Sequence, residues 1–198
     1  MTKQVIGHAG MATATVVVML VGCISASKPT NDPRSDPGCK IERNAVASVS
    51  VGDSTAEVMG AFAQAEYATK IVSLPGAARE ILVQRAGKLM MRVTLDGTGH
   101  LSAMKVYDPA CKTEKGIGPG SSVASVAKAY GRGNIASTDG GYVVHFEYLA
   151  GMMFLIENDD LPPDLKGIPD DVLSEAQERQ ILSVDQARIA AVEVFESE

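Results

Sequence analysis

The sequence predicts an α+β protein built from two tandem repeats, each a helix followed by a four-stranded antiparallel meander, with a helical insertion in the second repeat. Two observations carry this prediction. Five short blocks of sequence occur twice in the same order, and apolar segments of strand length are separated by turn residues. The repeats are predicted at residues 44–110 and 111–198, after a signal peptide at 1–22 and a flexible tether at 23–43.

The duplicated blocks are short but keep their order along the chain. The clearest is Asp-Pro-Gly-Cys-Lys at residues 36–40, which returns as Asp-Pro-Ala-Cys-Lys at residues 108–112. The other pairs are 51–58 with 119–126, 61–62 with 129–130, 86–91 with 150–154, and 101–107 with 189–195. Ordered matches of this kind indicate an internal duplication, in which each copy supplies one unit of the fold.

The first repeat predicts one helix and four strands. Ser54 and Glu57 have the spacing of a capping box, which satisfies free N–H groups at a helix start. Val58, Ala61 and Phe62 then fall on one helical face. Strands are predicted at 69–74, 79–85, 88–95 and 100–107. The turns between these strands contain glycine, which is typical of hairpins.

The second repeat has the same order of elements and one addition. A helix is predicted at 122–130, ended by Gly131, with strands at 134–137, 142–149, 152–157 and 188–195. An insertion at about 158–185 separates the last two strands, and a helix is predicted within it at 169–181. Between residues 157 and 178 the chain has eight acidic side chains and one basic side chain, so this stretch accounts for its net negative charge.

The chain begins with the pattern of an export signal. The apolar run at 11–21 is shorter than the roughly 20 residues that span a bilayer, and it fits a signal-peptide core. Leu-Val-Gly-Cys at 20–23 resembles the lipobox of bacterial lipoproteins, which implies acylation of Cys23. Ile24 stands where an inner-membrane retention signal has Asp, which implies the outer membrane. The alternative is an ordinary cleaved signal that ends near Ala26.

Two further cysteines remain once Cys23 is assigned to the lipid. Exported proteins mature in an oxidising compartment, where pairs of cysteines form disulfides. A Cys39–Cys111 disulfide and two separate thiols both stay open at this stage, because the sequence does not give their separation in space.

Composition excludes several classes of protein. The chain has 24 acidic against 18 basic side chains and no basic stripe, which argues against a nucleic-acid partner. A disordered acidic tail is excluded by the 45% of hydrophobic residues. The glycine-rich stretch 116–122 lacks the Gly-Lys-Ser/Thr ending of a P-loop, and His100 and His145 have no partner at metal-ligating spacing. We therefore predict no cofactor and no metal.

The insertion carries the candidate partner-binding residues. These are Glu157, Asp159, Asp160, Asp164, Asp170 and Asp171. A calcium site is disfavoured because the spacing is not that of an EF-hand and Pro162-Pro163 interrupts the cluster. A solvated acidic loop and a surface that attracts a basic partner both remain as interpretations.

The helix openings resemble known families. Each repeat opens with glycine, serine, valine and an aromatic residue at matching positions, which are Gly52, Ser54, Val58 and Phe62, and then Gly120, Ser122, Val126 and Tyr130. The tandem helix-and-meander arrangement resembles the β-lactamase-inhibitor-protein-like architecture. The same opening is similar to that of small outer-membrane assembly lipoproteins of the SmpA/OmlA type. Both resemblances imply a binding module.

The predicted function is that of a non-enzymatic, membrane-anchored envelope lipoprotein. It would bind an envelope protein through its sheet face or its acidic insertion, in outer-membrane assembly or maintenance. The alternative is an inhibitor of a periplasmic or secreted enzyme such as a hydrolase, with the 158–168 loop entering the active site. A hydrolase that joins His145 or His100 to a carboxylate is a third hypothesis.

Overall fold

The computed structural model of the protein describes residues 39–75, 78–138, 141–169, 173–184 and 186–197. The predicted signal peptide and residues 23–38 of the predicted tether, including Cys23, lie outside these ranges, as do Asp170 and Asp171. Within the ranges, none of the helices has both the length and the apolar character that crossing a membrane requires.

The described residues form three α-helices and ten strands. The helices are α1 (Thr55–Ala61), α2 (Val123–Tyr130) and α3 (Glu175–Ser183). The strands are β1 (Ala45–Val46), β2 (Val49–Ser50), β3 (Tyr67–Ser73), β4 (Arg79–Arg85), β5 (Lys88–Leu95), β6 (Leu101–Val106), β7 (Asn134–Thr138), β8 (Gly141–His145), β9 (Met152–Glu157) and β10 (Ile189–Phe195).

Eight strands form one antiparallel sheet in the order β3-β4-β5-β6-β10-β9-β8-β7, while β1 and β2 pair separately. Residues 44–110, which we call the N-terminal half, supply β3 to β6. Residues 111–197, the C-terminal half, supply β7 to β10, and the halves meet where β6 pairs with β10. The α+β class and the antiparallel pairing predicted from the sequence are confirmed.

The three helices pack on one face of the sheet. Phe62 at the C-cap of α1, Tyr130 of α2 and Ile181 of α3 belong to a single buried cluster, together with alternate residues of the strands. Those strand residues include Ile81, Val83, Met91, Val93, Met104, Val106, Phe154, Val192 and Val194. Because side chains alternate between the two faces of a strand, this pattern places the core on one side of the sheet only.

The strand predicted at 142–149 is shorter in the structure. β8 ends at His145, and Glu147–Leu149 form one turn of 3-10 helix. The Leu149 N–H donates to the carbonyl oxygen of Phe146 at 2.9 Å, which closes this turn. The predicted continuation of the strand over 146–149 was therefore wrong, because these residues form a turn after β8 and do not extend the ladder.

The helix predicted at 169–181 begins later than expected, at Glu175. The hydroxyl of Ser174 accepts from the Gln177 N–H, and the Gln177 side chain accepts from the Ser174 N–H at 3.0 Å. This capping box sets the start of the helix, because it satisfies two donors that would otherwise have no partner. Pro169 lies outside the helix.

The two halves open with matching backbone contacts. Gly52 donates to the carbonyl oxygen of Leu101, and Gly120 donates to the carbonyl oxygen of Ile189, both at 2.8 Å. In each case the strand residue donates back to the residue after the glycine. Gly52 and Gly120 have φ of +93° and +80°, a left-handed conformation that residues with a Cβ rarely adopt. The glycines thus fix each helix start against the first residue of the last strand of its half.

The described chain starts beside the junction of the halves. Cys39 and Cys111 are bonded as a disulfide, and Lys40 and Lys112 pair as a parallel bridge. The duplicated Cys-Lys motifs therefore lie side by side. Gly118 packs against the backbone of Cys111: a Cβ added to Gly118 would lie 2.1 Å from the Cys111 carbonyl oxygen.

Candidate functional site

The sheet surface opposite the helices is the candidate functional site, and we call it the open face. Strand register places one row of its residues straight across the sheet. In order, the row is Lys70, Leu82, Arg92, Lys105, Glu193, Met153, His145 and Asn134. None of the helices in the described residues supplies a cover for this face, because their buried side chains belong to the cluster on the other side.

The N-terminal half of the open face is charged. Arg92 lies 3.9 Å from the Glu80 carboxylate and 6.0 Å from the centre of the Tyr107 ring. At the junction of the halves, the Lys105 ammonium lies 3.7 Å from the Glu193 carboxylate. Opposite charges on neighbouring strands stabilise such a surface only modestly, since these side chains remain partly exposed.

The C-terminal half of the open face is more apolar. Met153, Leu155 and Ala136 are half-buried, while Val143 and Ala191 are buried. Leu155 lies opposite both Ala191 and Val143 in the strand register. Partly exposed apolar side chains that share one face form a surface suited to protein contact.

A cavity of about 570 Å³ opens on this side of the sheet. Leu155 and Ala191 contribute apolar side chains to its lining, Tyr107 contributes an aromatic ring, and Glu157 and Asp159 contribute carboxylates. Burial raises the pKa of Tyr107, and nearby Arg92 acts in the opposite direction. The phenol therefore stays protonated at neutral pH and can donate a hydrogen bond.

The predicted acidic residues are divided by the structure. Glu157 and Asp159 line the cavity, but Asp160 and Asp164 do not. The Asp159 side chain is 99% exposed, and its carboxylate lies 3.9 Å from the Lys166 ammonium. Four of the six predicted acidic residues are described. Glu157 and Asp159 share the cavity, and Asp160 and Asp164 are exposed outside it.

Tyr142 holds that segment against the sheet. Its hydroxyl donates to the Leu165 carbonyl oxygen at 2.9 Å and accepts from the Ile168 N–H at 2.8 Å. Leu161 and Leu165 are buried in the main cluster. The loop at 158–168 is therefore tied to β8 and to the core, although its acidic side chains face solvent.

A smaller cavity of about 260 Å³ lies near the start of the described chain. Thr113 and Tyr130 line it, and the Tyr130 hydroxyl donates to Thr113 Oγ1 at 2.7 Å. Burial raises the pKa of Tyr130, and the bond to Thr113 opposes this shift. The Lys115 ammonium lies 4.6 Å from the centre of the Tyr130 ring. The hydroxyls of Tyr130 and Thr113 already bond to each other, so this cavity is the weaker candidate.

The two histidines within the described residues lie apart from both cavities. His145 is half-buried on the open face opposite Asn134, and His100 is exposed in the β5–β6 turn, where its Nδ1 lies 2.9 Å from Thr98 Oγ1. Neither lines either cavity. Among the described residues, no three His, Cys, Asp or Glu side chains lie close enough together to hold a metal ion.

Sequence reasoning missed Lys105, Tyr107 and Leu155 as residues of the candidate site. Alternation along β6 places Lys105 and Tyr107 on one face, and the same rule pairs Leu155 with Glu157. This signal was available in the sequence. The sequence does not give the order of the strands, which places β6 and β9 on either side of β10.

Comparisons with known proteins bear on the fold. No protein-family model matches the chain, and no curated protein sequence matches it. The crystal structure of the uncharacterized protein yfeY from Escherichia coli is similar to this chain, with a TM-score of 0.54 and 15% sequence identity. The match covers 79% of this chain and 99% of yfeY. At this identity the likeness supports a shared fold and carries no information about function.

Proposed function

We propose that this protein is a non-enzymatic lipoprotein of the cell envelope that binds another envelope protein through its open face. A lipid on Cys23 would anchor it, in the outer membrane facing the periplasm, and its role would be in outer-membrane assembly or maintenance. The observation that carries the proposal is the broad sheet whose helices pack on one face only, leaving Met153 and Leu155 half-buried on the other. No cofactor and no nucleic acid is part of this proposal.

The proposal includes an origin of the sheet by duplication, with two helix-and-meander repeats. Supporting it, Lys105 corresponds to Glu193 in the aligned blocks, and these residues lie opposite each other where the halves meet. Met104 lies opposite Val194, the counterpart of Val106. Equivalent strands thus pair reciprocally, as two related units do about a two-fold axis. In this scheme the segment 158–185, with α3, is the insertion of the second repeat.

The chemistry of the cavity indicates a partner that presents a basic side chain with an apolar stem. Glu157 and Asp159 add two negative charges, of which, among the described residues, only that of Asp159 lies near a cation, the exposed Lys166 at 3.9 Å, while the positive charge of Lys105 is offset by Glu193. Tyr107 offers an aromatic ring to a cation. Complementary charge favours encounter and register between two proteins, and apolar contact on the same face adds affinity.

Site-specific photo-crosslinking tests the open face. A photoreactive residue at Leu155 should capture a partner in intact cells, while the same residue at Lys128, exposed on α2, should not. Equal capture at both positions would overturn the proposal.

A charge-matched pair of variants then tests the cavity. Glu157→Gln with Asp159→Asn should weaken binding of the captured partner by about tenfold or more, which corresponds to about 1.4 kcal/mol. Asp160→Asn with Asp164→Asn removes the same charge from the same segment outside the cavity and should leave binding unchanged. Equal weakening by both pairs would show that only net charge matters.

The anchor has a direct test of its own. Mass spectrometry of the membrane-extracted protein should find acyl mass on Cys23, and Cys23→Ser should release the protein from the membrane. A mature chain that begins near Ser27 without a lipid would contradict this part of the proposal.

Inhibition of a periplasmic or secreted enzyme is the second candidate function. One observation favours it: the Tyr142 hydroxyl holds the 158–168 loop rigidly, as an inhibitory loop requires. Deleting residues 159–168 should then abolish one-to-one binding of the enzyme. Binding that survives the deletion would exclude this candidate and leave the open face as the contact.

A further inference from the structure

Among the described residues, β3 forms one edge of the sheet. β3 pairs with β4 on one side, and no described strand pairs with its other side. Its seven residues contain no proline, and its register with β4 runs without a bulge from Tyr67 to Ser73. An edge of this kind presents a row of unpaired N–H and C=O groups to another strand.

The direction of those groups follows from the ends of the ladder. The Leu74 N–H donates to the Ala78 carbonyl oxygen, and the Ala86 N–H donates to the Glu66 carbonyl oxygen. In an antiparallel pair, alternate residues point their backbone groups at the partner strand. The groups of Thr69, Ile71 and Ser73 therefore point outward.

This edge carries large exposed apolar side chains beside the exposed Lys70 and Ser73. Ile71 is 45% exposed and Leu74 is 36% exposed, which makes them two of the three most exposed large hydrophobic residues described. Ile71 lies opposite Ile81, so it belongs to the core face at the point where the cover of the helices ends.

We propose that two copies of this protein pair antiparallel along β3, with Ile71 opposite the partner's Ile71. This register brings the outward groups of Thr69 and Ser73 to the partner's Ser73 and the partner's Thr69. It also buries the two Ile71 side chains against each other and continues the sheet from one copy into the next. The pattern of donors and acceptors is self-complementary, so a second copy in this register can pair the outward groups of Thr69, Ile71 and Ser73.

Charge is complementary in the same register. Lys70 lies opposite the partner's Val72 rather than the partner's Lys70, which keeps like charges apart. Within one copy Val72 lies opposite Glu80, so the partner's Glu80 lies one strand beyond the partner's Val72. Adjacent strands are about 4.8 Å apart, so the Lys70 and Glu80 side chains can meet across that gap of about 10 Å. The two-fold axis makes this contact twice.

Cysteine pairing tests the register. In the proposed dimer, Lys70 and the partner's Val72 form a non-hydrogen-bonded pair, whose Cα atoms are about 4.5 Å apart and within disulfide range. A mixture of Lys70→Cys and Val72→Cys chains, each with Cys23→Ser, should form a linked dimer on mild oxidation at least tenfold faster than either chain alone. Asn134→Cys mixed with Ala136→Cys, on the opposite edge strand β7, is the matched control and should stay unlinked. Equal linking in the control would overturn the proposal.

A proline variant tests whether the edge itself holds the dimer. Ile71→Pro removes an outward N–H and leaves the β3–β4 bonds intact, a placement that edge strands tolerate. Analytical ultracentrifugation of the full chain in detergent should find a dimer for the wild type and at least a tenfold higher dissociation constant for Ile71→Pro. Ile71→Lys should raise the dissociation constant by a similar factor, and it replaces the proline variant if that variant does not fold. A wild type that stays monomeric, or an edge that binds a different chain instead, would overturn the proposal.

Discussion

The two halves of the sheet bury similar residues on one face and present different residues on the other. The core face carries aliphatic side chains in both halves, such as Val93 in the first and Val192 in the second. On the open face, Arg92 and Lys105 lie in the N-terminal half, whereas Met153 and Leu155 lie in the C-terminal half. The core face is therefore constrained by the fold, while the open face is free to specialise.

The halves also differ in how their last two strands are joined. β5 and β6 are connected by the short turn 96–100, and β9 and β10 by the long segment 158–188 that contains α3. The candidate acidic residues lie in the long connection, except Glu157, which ends β9. Each of the following predictions either separates the two halves or measures one of their differences.

Truncating one aromatic core residue in each half should have the largest effect. Phe154 packs against the rings of Tyr130 and Phe146, and Phe62 packs against the ring of Tyr67. Phe154→Ala and Phe62→Ala should each lower the free energy of unfolding by about 3–5 kcal/mol. Since both belong to one cluster, urea unfolding should remain a single transition for both variants. Two separate transitions would show that the halves are independent domains.

Removing the disulfide should be the next largest change. Cys39→Ser with Cys111→Ser removes a link between residues 72 positions apart. Such a loss lowers the free energy of unfolding by about 2–5 kcal/mol. Chemical denaturation with and without a reducing agent measures it, and the reduced wild type should match the double variant. A loss below about 0.5 kcal/mol would mean that the backbone contacts of Lys112 hold the junction without the disulfide.

These two expectations rest on features that the sequence predicts to different degrees. β4, β5 and β9 begin and end where their turn residues and alternation place them, because their signals are local. The predicted end of β8 was wrong because the turn that starts at Phe146 ends the strand. The predicted start of α3 was wrong because the Ser174 cap is a stronger start signal than Pro169.

The candidate site could be predicted only in part, for a different physical reason. Glu157 and Asp159 were singled out by charge, and the structure places them in one cavity. Tyr107 and Ala191 reach that cavity through strand pairing between segments far apart in the chain, which local patterns do not specify. Nor does alternation reveal which face the helices cover.

A charge swap at the junction should have a smaller effect. Lys105→Glu places two carboxylates opposite each other and should lower the free energy of unfolding by about 1 kcal/mol, since both side chains are about one-third exposed. Adding Glu193→Lys should restore stability by re-forming the pair in reverse. Thermal melts of the single and double variants measure this, and a double variant no better than the single one would contradict the pairing.

The smallest effect concerns the turn of the N-terminal half. Hydrogen bonds from the His100 N–H and the Thr98 hydroxyl lower the pKa of Asp96 from 3.8 to about 2. A depressed carboxyl pKa contributes stability above pH 3.8 that is lost as the pH falls towards 2. Asp96→Asn should therefore make the melting temperature depend slightly less on pH between about pH 5 and pH 2. An unchanged pH profile would remove Asp96 as a contributor.

The position of Cys39 also determines how the protein would respond to mechanical force. A pull applied to the chain before residue 39 is carried by a covalent bond to Cys111 and by the backbone contacts of Ile41 with Lys112. The load enters between the halves and does not unzip β3 or β7, the two edge strands. Tension applied at this point would therefore leave both edges of the sheet and the open face in their folded arrangement.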